Sequence, residues 1–195
     1  MAQLRLGNLR RAEEHIRAAI HVSIWDLADR EEALRHQRQL VVLFKNRGLW
    51  ALARFEAESA IITADEIGCD KESGGLRINL IVTLLKSGPL SKIPALLDEA
   101  QALVARAGNS LWSALVHLLR ARYLVLTHHP AQALEILTPI LATTREQRFS
   151  REEAICLEYM GDCHLLQKEF RQALDHYNAA LKIAEATAPK GDLIP

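Results

Sequence analysis

Apolar residues recur along this chain with a helical rhythm. From Glu32 to Phe44 they fall at Ala33, Leu34, Leu40, Val41 and Phe44, and further on at Leu134, Ile136, Leu137, Ile140 and Leu141. Steps of three, four and seven place such residues on one face of an α-helix. No alternating run of convincing length occurs, so no strand is predicted. Gly and Pro punctuate the periodic stretches at Gly48, Gly68, Gly74–Gly75, Gly88–Pro89, Gly108, Pro130 and Pro189. The breaks leave segments of roughly 14–19 residues, an ordinary helix length. Pro94 falls in a first turn, where a missing N–H matters little, and Ser91 before it can cap. Pro139 is a candidate kink. Gly161 lies mid-helix, where Gly costs about 1 kcal/mol against Ala and needs a packing reason.

The punctuation is itself periodic. Short turns lead into helices at Gly48–Ala53, Gly88–Ile93, His128–Ala133 and Lys168–Ala173. The small or apolar anchors Ala53, Ile93, Ala133 and Ala173 are spaced by 40, and an earlier copy ends at Ala12, 41 before Ala53. Equal intervals of this kind predict repeated helix pairs that stack into a solenoid. The expected architecture is all-α: a partial repeat over 1–29, then repeats over about 30–69, 70–109, 110–149 and 150–189. Ala2–Leu6 reads as the tail of a first helix and Ala186–Pro195 as a loop entering a further repeat. Neither end reads as the polar cap of an array, so the chain is expected to be a fragment of a larger protein.

Composition narrows the function. With 195 residues, 49% apolar and 25% charged, the chain has material for a continuous core. Twenty-four basic residues balance 24 acidic ones. That balance argues against wholesale nucleic-acid binding, which needs an excess of Lys and Arg. Residues 1–54 carry +4 and residues 55–195 carry −4, a mild asymmetry. No apolar run is long enough to span a bilayer, and Met1–Arg11 lacks the apolar core of a secretory signal. Three cysteines, Cys69, Cys156 and Cys163, make no C-x-x-C and no disulfide framework, which suits a reducing cytoplasm. Cys156 and Cys163 read as small buried hydrophobes. No phosphate-binding, dinucleotide-binding or nucleophile-elbow motif occurs, and the eight His form no ligand cluster. Neither catalysis nor a metal or cofactor is expected. Trp25, Trp50 and Trp112 lie on apolar stripes and are expected in the core.

The last unit, Ala154–Thr187, resembles a tetratricopeptide repeat. Leu157, Met160–Gly161 and His164 stand at that family's first-helix signature places, and Ala173, Tyr177 and Ala180 at the second-helix ones. Gly161 and Ala173 would let two helices approach closely, with Tyr177 filling the space beyond them. Trp50, Ala53, Phe55 and Ala60 match fairly, whereas Ile81 and Ala121 stand where the family prefers Gly. The period of about 40 departs from the family's 34, as in longer-period relatives that serve bacterial signalling regulators and polarity scaffolds.

The resemblance implies a right-handed superhelix whose first helices line a concave face. Carried over place by place, that face takes Arg35, Arg38, Val42 and Lys45, then Ile78, Asn79, Val82 and Lys86. Leu118, Arg122 and Val125 follow, then Glu158, Asp162 and Leu165. It would be basic early, apolar in the middle and acidic late, and would suit a protein or peptide of complementary charge. Arg38, Lys45, Asn79, Lys86 and Arg122 are expected to share one basic wall. The family's carboxylate clamp for chaperone tails is broken by Val42, Leu115 and Leu119. The implied function is non-catalytic recognition within a larger signalling or transcriptional regulator, or scaffolding in an assembly. No nucleic-acid or membrane partner is implied.

Overall fold

The computed structural model describes residues 9–187. Among them are nine α-helices and one 3-10 turn. They are α1 (Leu9–Trp25), α2 (Arg30–Asn46), α3 (Trp50–Glu66) and α4 (Asp70–Ser87). The 3-10 turn Leu90–Lys92 precedes α5 (Ile93–Arg106). Then come α6 (Ser110–Leu126), α7 (Pro130–Glu146), α8 (Ser150–Leu166) and α9 (Phe170–Thr187). The fold is all-α. The chain divides into two compact units, one ending at Asn109 and one beginning at Ser110. The expected readings of Ala2–Leu6 and of the tail beyond Thr187 fall outside the described residues. Ala186 and Thr187 complete α9 instead of starting a loop.

Each helix boundary has a local cause. α2 opens on Asp29, whose carboxylate accepts the Glu32 N–H at 2.9 Å. Glu31 and Glu32 fill its first turn and Lys45 its last, which matches the helix dipole. Pro130 starts α7 and Pro94 stands in the first turn of α5, where no intrahelical N–H is needed. α7 continues through Pro139 to Glu146.

Six turns share one design. Gly48, Gly68, Gly108, His128, Arg148 and Lys168 have φ between +57° and +70°. Each donates its N–H three residues back, and the next residue donates five back, as in Gly48 to Lys45 and Leu49 to Phe44. This pair of bonds satisfies the orphan carbonyls of a helix C-terminus and reverses the chain in three residues. Two turns depart from it: in the α1–α2 turn the positive φ falls on Ala28, at +53°, and the Asp29 N–H reaches back to the Ser23 carbonyl, and the α4–α5 turn has no residue at positive φ. Gly88 is extended, Pro89 follows, and α5 begins only after the 3-10 turn.

In the first unit α2 and α4 are first helices and α1, α3 and α5 second helices. Each second helix packs on its neighbouring first helices, and α2 also packs directly on α4. α3 and α5 make at most a glancing contact with one another, because α4 lies between them. In the second unit α6 packs on α7 and α8, and α8 also on α7 and α9. Ala53, Ile93, Ala133 and Ala173 all stand in the first turn of a second helix and are buried.

Three expectations need correction. Gly74 and Gly75 are not a break but lie within α4. A Cβ on Gly74 would lie 3.2 Å from Val104 Cγ1 and 3.3 Å from Leu103 Cβ, so the glycine serves the α4–α5 crossing. Trp25 is 74% exposed at the end of α1, not in the core, and Trp50 and Trp112 are only half-buried. The closest neighbour of Gly161 is the Tyr177 ring, not Ala173: a Cβ there would lie 2.5–2.9 Å from three ring atoms.

Candidate binding face of the first helices

The packing of α2 on α4 brings several predicted residues to one seam. Arg38 Nε donates to Glu72 Oε2 at 2.7 Å, and Lys45 Nζ to Asn79 Oδ1 at 2.5 Å. Asn79 Nδ2 donates in turn to the Gly75 carbonyl at 2.8 Å. Glu72 is wholly buried, so the Arg38 guanidinium neutralises a carboxylate withdrawn from water. Arg35 pairs within α2 with Glu32, one turn earlier. Val42 and Val82 are half-buried and Lys86 is exposed. The first unit therefore presents Arg35, Val42, Val82 and Lys86 around a seam held by Arg38, Lys45 and Asn79.

Asn79 and Ile78 are not free groove side chains. Residues 72–80 of α4 are all buried, because α2, α3 and α5 pack against this helix. Leu118 and Val125, carried over as groove residues, belong instead to the core of the second unit with Leu137, Cys156 and Met160. The resemblance placed all four by position, and burial depends on what packs against each position.

In the second unit Arg122 and Asp162 are each other's partners across the α6–α8 packing, bonded through Nη1 and Oδ2. Asp162 Oδ1 also accepts the Tyr177 hydroxyl at 2.7 Å, and the Arg122 guanidinium lies 5.2 Å from the Tyr159 ring centroid. Burial, reinforced by the bond to Asp162, pushes the Tyr177 phenol up to about 12. The basic Arg122 and acidic Asp162 thus cancel locally. Glu158 and Leu165 are exposed. Burial pushes the Cys156 and Cys163 thiols up to about 12 and about 11, so neither is a reactive thiolate.

Sequence reasoning missed the ionic partners. Glu72 and Arg77 sit in apolar surroundings on α4, where a charge interrupting an apolar face was the available signal. Arg77 is 8% exposed and spans two helices. Its Nη2 donates to Asp65 Oδ2 on α3 and its Nε to Glu99 Oε2 on α5, both at 2.8 Å. The Arg77 bond holds the Asp65 carboxyl below its ordinary range, against the opposing pull of burial.

Antiparallel helix pairs joined by three-residue turns, with first helices packed on one another, define a helical repeat protein. No family model matches the chain, and no curated protein matches it. Solved structures do. The chain is similar to BtubC (BKLC) from P. vanneervenii, with a TM-score of 0.78 and 17% identity over 99% of this chain and 78% of that one. It is also similar to a putative kinesin light chain with nearly identical TPR-like repeats from Podosopora anserina. One structure of that protein scores 0.69 at 13% identity over 96% and 93% of the two chains. A second, of a variant form, scores 0.71 at 13% over 95% and 91%. The fold is that of TPR-like repeat proteins.

Proposed function

We propose that the chain is a non-catalytic recognition module that holds a protein or peptide against its first-helix face. The observation that carries this reading is the α2–α4 seam, where Arg38 and Lys45 are fixed by Glu72 and Asn79. The cross-helix bonds make the seam rigid, so a ligand meets a pre-organised surface and little ordering entropy is lost on binding. Arg35 and Lys86 flank it with positive charge, and Val42 and Val82 supply apolar contact. The module would serve a larger cytoplasmic signalling or transcriptional regulator, with the 40-residue period as its structural repeat.

Site-specific photo-crosslinking tests this. A photoreactive residue at position 82 is expected to capture a partner that the same residue at position 55, on the exposed side of α3, does not. Equal capture from both positions would refute the assignment.

A scaffold reading draws on α9. Phe170, Leu174 and Leu181 are exposed there. Leu134 and Leu141 hold the fifth and twelfth positions of α7, as Leu174 and Leu181 do of α9, and they pack on the core beneath α8. The α9 stripe thus has the form of a stacking surface.

A further inference from the structure

Three cavities of about 480, 400 and 330 Å³ lie in line along one groove of the first unit. Its floor is α4 and its walls are α3 and α5. The first cavity lies between Trp50–Leu52 and Leu84–Gly88. The second shares Leu84 with it and is lined by Ile61, Ile62, Leu80, Ala95 and Leu96. The third shares Arg77 and Glu99 with the second and ends at Asp70 and Arg106. The groove follows the 18 residues of α4, about 27 Å at helical rise.

The sequence explains why it opens here. Gly88, Pro89 and the 3-10 turn delay α5, which has 14 residues where α3 has 17. From the floor, Arg77 reaches Asp65 on one wall and Glu99 on the other, and so works as a strut that sets their spacing. Ile62 remains 61% exposed on the wall.

Charge is graded along the groove. At one end Arg54 and Lys92 outnumber Glu58, which lines the second cavity 4.0 Å from Arg54, beside the N-termini of α3 and α5. The first N–H groups of α3 add positive potential, whereas at α5 the 3-10 turn takes the Ile93 N–H and Pro94 has none. At the other end Asp65, Asp70 and Glu99 outnumber Arg77 and Arg106, beside the C-termini of the same helices. We propose that this groove is a second docking site, separate from the first-helix face. Its ligand is an amphipathic α-helix of a partner protein, about as long as α4. The helix lies parallel to α4 with its apolar stripe inward, basic near its N-terminus and acidic near its C-terminus. Its own dipole then also opposes the field of the groove.

The test uses the full chain and a synthetic labelled peptide of about 17 residues. The peptide carries lysines in its first turn, leucines at alternating third and fourth positions, and glutamates in its last turn. A second peptide exchanges the two charged ends. Fluorescence anisotropy is expected to give a Kd tighter than about 100 μM for the first peptide and at least about fivefold weaker binding for the second. Ile62→Glu, on an exposed wall position, is expected to weaken the first peptide at least about tenfold with an unchanged circular dichroism spectrum. Arg35→Glu, on the other face, is expected to leave it unaltered. Absence of binding at about 1 mM, or indifference to Ile62→Glu, overturns the site. Equal affinity for the two peptides overturns the stated chemistry of the partner. Sedimentation that finds a dimer abolished by Ile62→Glu overturns the proposal in favour of a second copy of the chain. A failure here leaves the crosslinking test at position 82 untouched, because the two surfaces share no residue.

Discussion

α4 and α8 hold the same place in their units, each between two second helices and against an earlier first helix, yet their interiors differ. α4 buries Glu72, Ser73, Arg77, Asn79 and Thr83 among its apolar residues. α8 buries Cys156, Leu157, Met160, Gly161 and Cys163, with Glu152 the one charged side chain among them. In α4 the relative placement of helices is set by directional bonds that run to α2, α3 and α5. In α8 the directional bonds run from the partly exposed Asp162 to Arg122 and Tyr177, and the buried interior is set by shape, with the Tyr177 ring seated over Gly161. The two devices fail differently. A severed ionic bond leaves a buried charge without its partner, whereas a filled glycine site overpacks.

The largest expected effect lies in the ionic seam. Arg38→Met strands the Glu72 carboxylate and is expected to lower stability by on the order of 3 kcal/mol in urea unfolding. Adding Glu72→Leu should recover most of that loss. A single-variant loss below about 1 kcal/mol would show that the seam is not electrostatic. Arg38 and Arg122 are consequently poor probes of binding, since each supports packing as well as surface charge.

The shape-set helix is probed by glycine. Gly161→Ala is expected to cost about 1–3 kcal/mol, because its Cβ would meet a rigid ring. Gly74→Ala meets only Val104 and Leu103 at 3.2–3.3 Å, and the gain in helix propensity of about 1 kcal/mol offsets the crowding. Thermal unfolding of the two variants should separate them clearly. Equal losses would erase the contrast between the helices.

Much of this was legible in the sequence. Apolar periodicity located the helices, and the anchors Ala53, Ile93, Ala133 and Ala173 marked the first turns of second helices. The seam was not legible, because Arg38 and Glu72 belong to different helices and no local pattern links them. The turns were half legible. Gly48, Gly68 and Gly108 announced themselves, but His128, Arg148 and Lys168 adopt the same left-handed geometry without a signal in residue type. Gly74 misled because a residue that permits a turn also permits a close crossing.

Smaller effects follow from those turns. His128→Gly, Arg148→Gly and Lys168→Gly should each stabilise by about 0.5–1 kcal/mol, since a side chain at positive φ is strained. A fall in melting temperature for all three would contradict the turn assignment. The smallest effect is that of pH. Burial first, and then nearby Arg120 or His164, holds His117 and His176 below the ordinary histidine range. Their contribution is present above the unfolded value near 6.5 and is lost as pH falls toward the lower folded values. Stability should therefore decline modestly from pH 7 to 5, and less so in a His117→Gln variant. A flat profile over that range would exclude these two groups as its source.

The central claim is that the first-helix face of the α2–α4 unit is the recognition surface. Association kinetics with the partner captured at position 82 test it most directly. The comparison is between the natural chain and an Arg35→Glu/Lys86→Glu double variant, at two salt concentrations. Neither residue belongs to the Arg38–Glu72 or Lys45–Asn79 bonds, so circular dichroism should be unchanged. The account predicts an on-rate at least about tenfold slower, with a weaker salt dependence, because the flanking charges steer the encounter. An unaltered on-rate and salt dependence would contradict it.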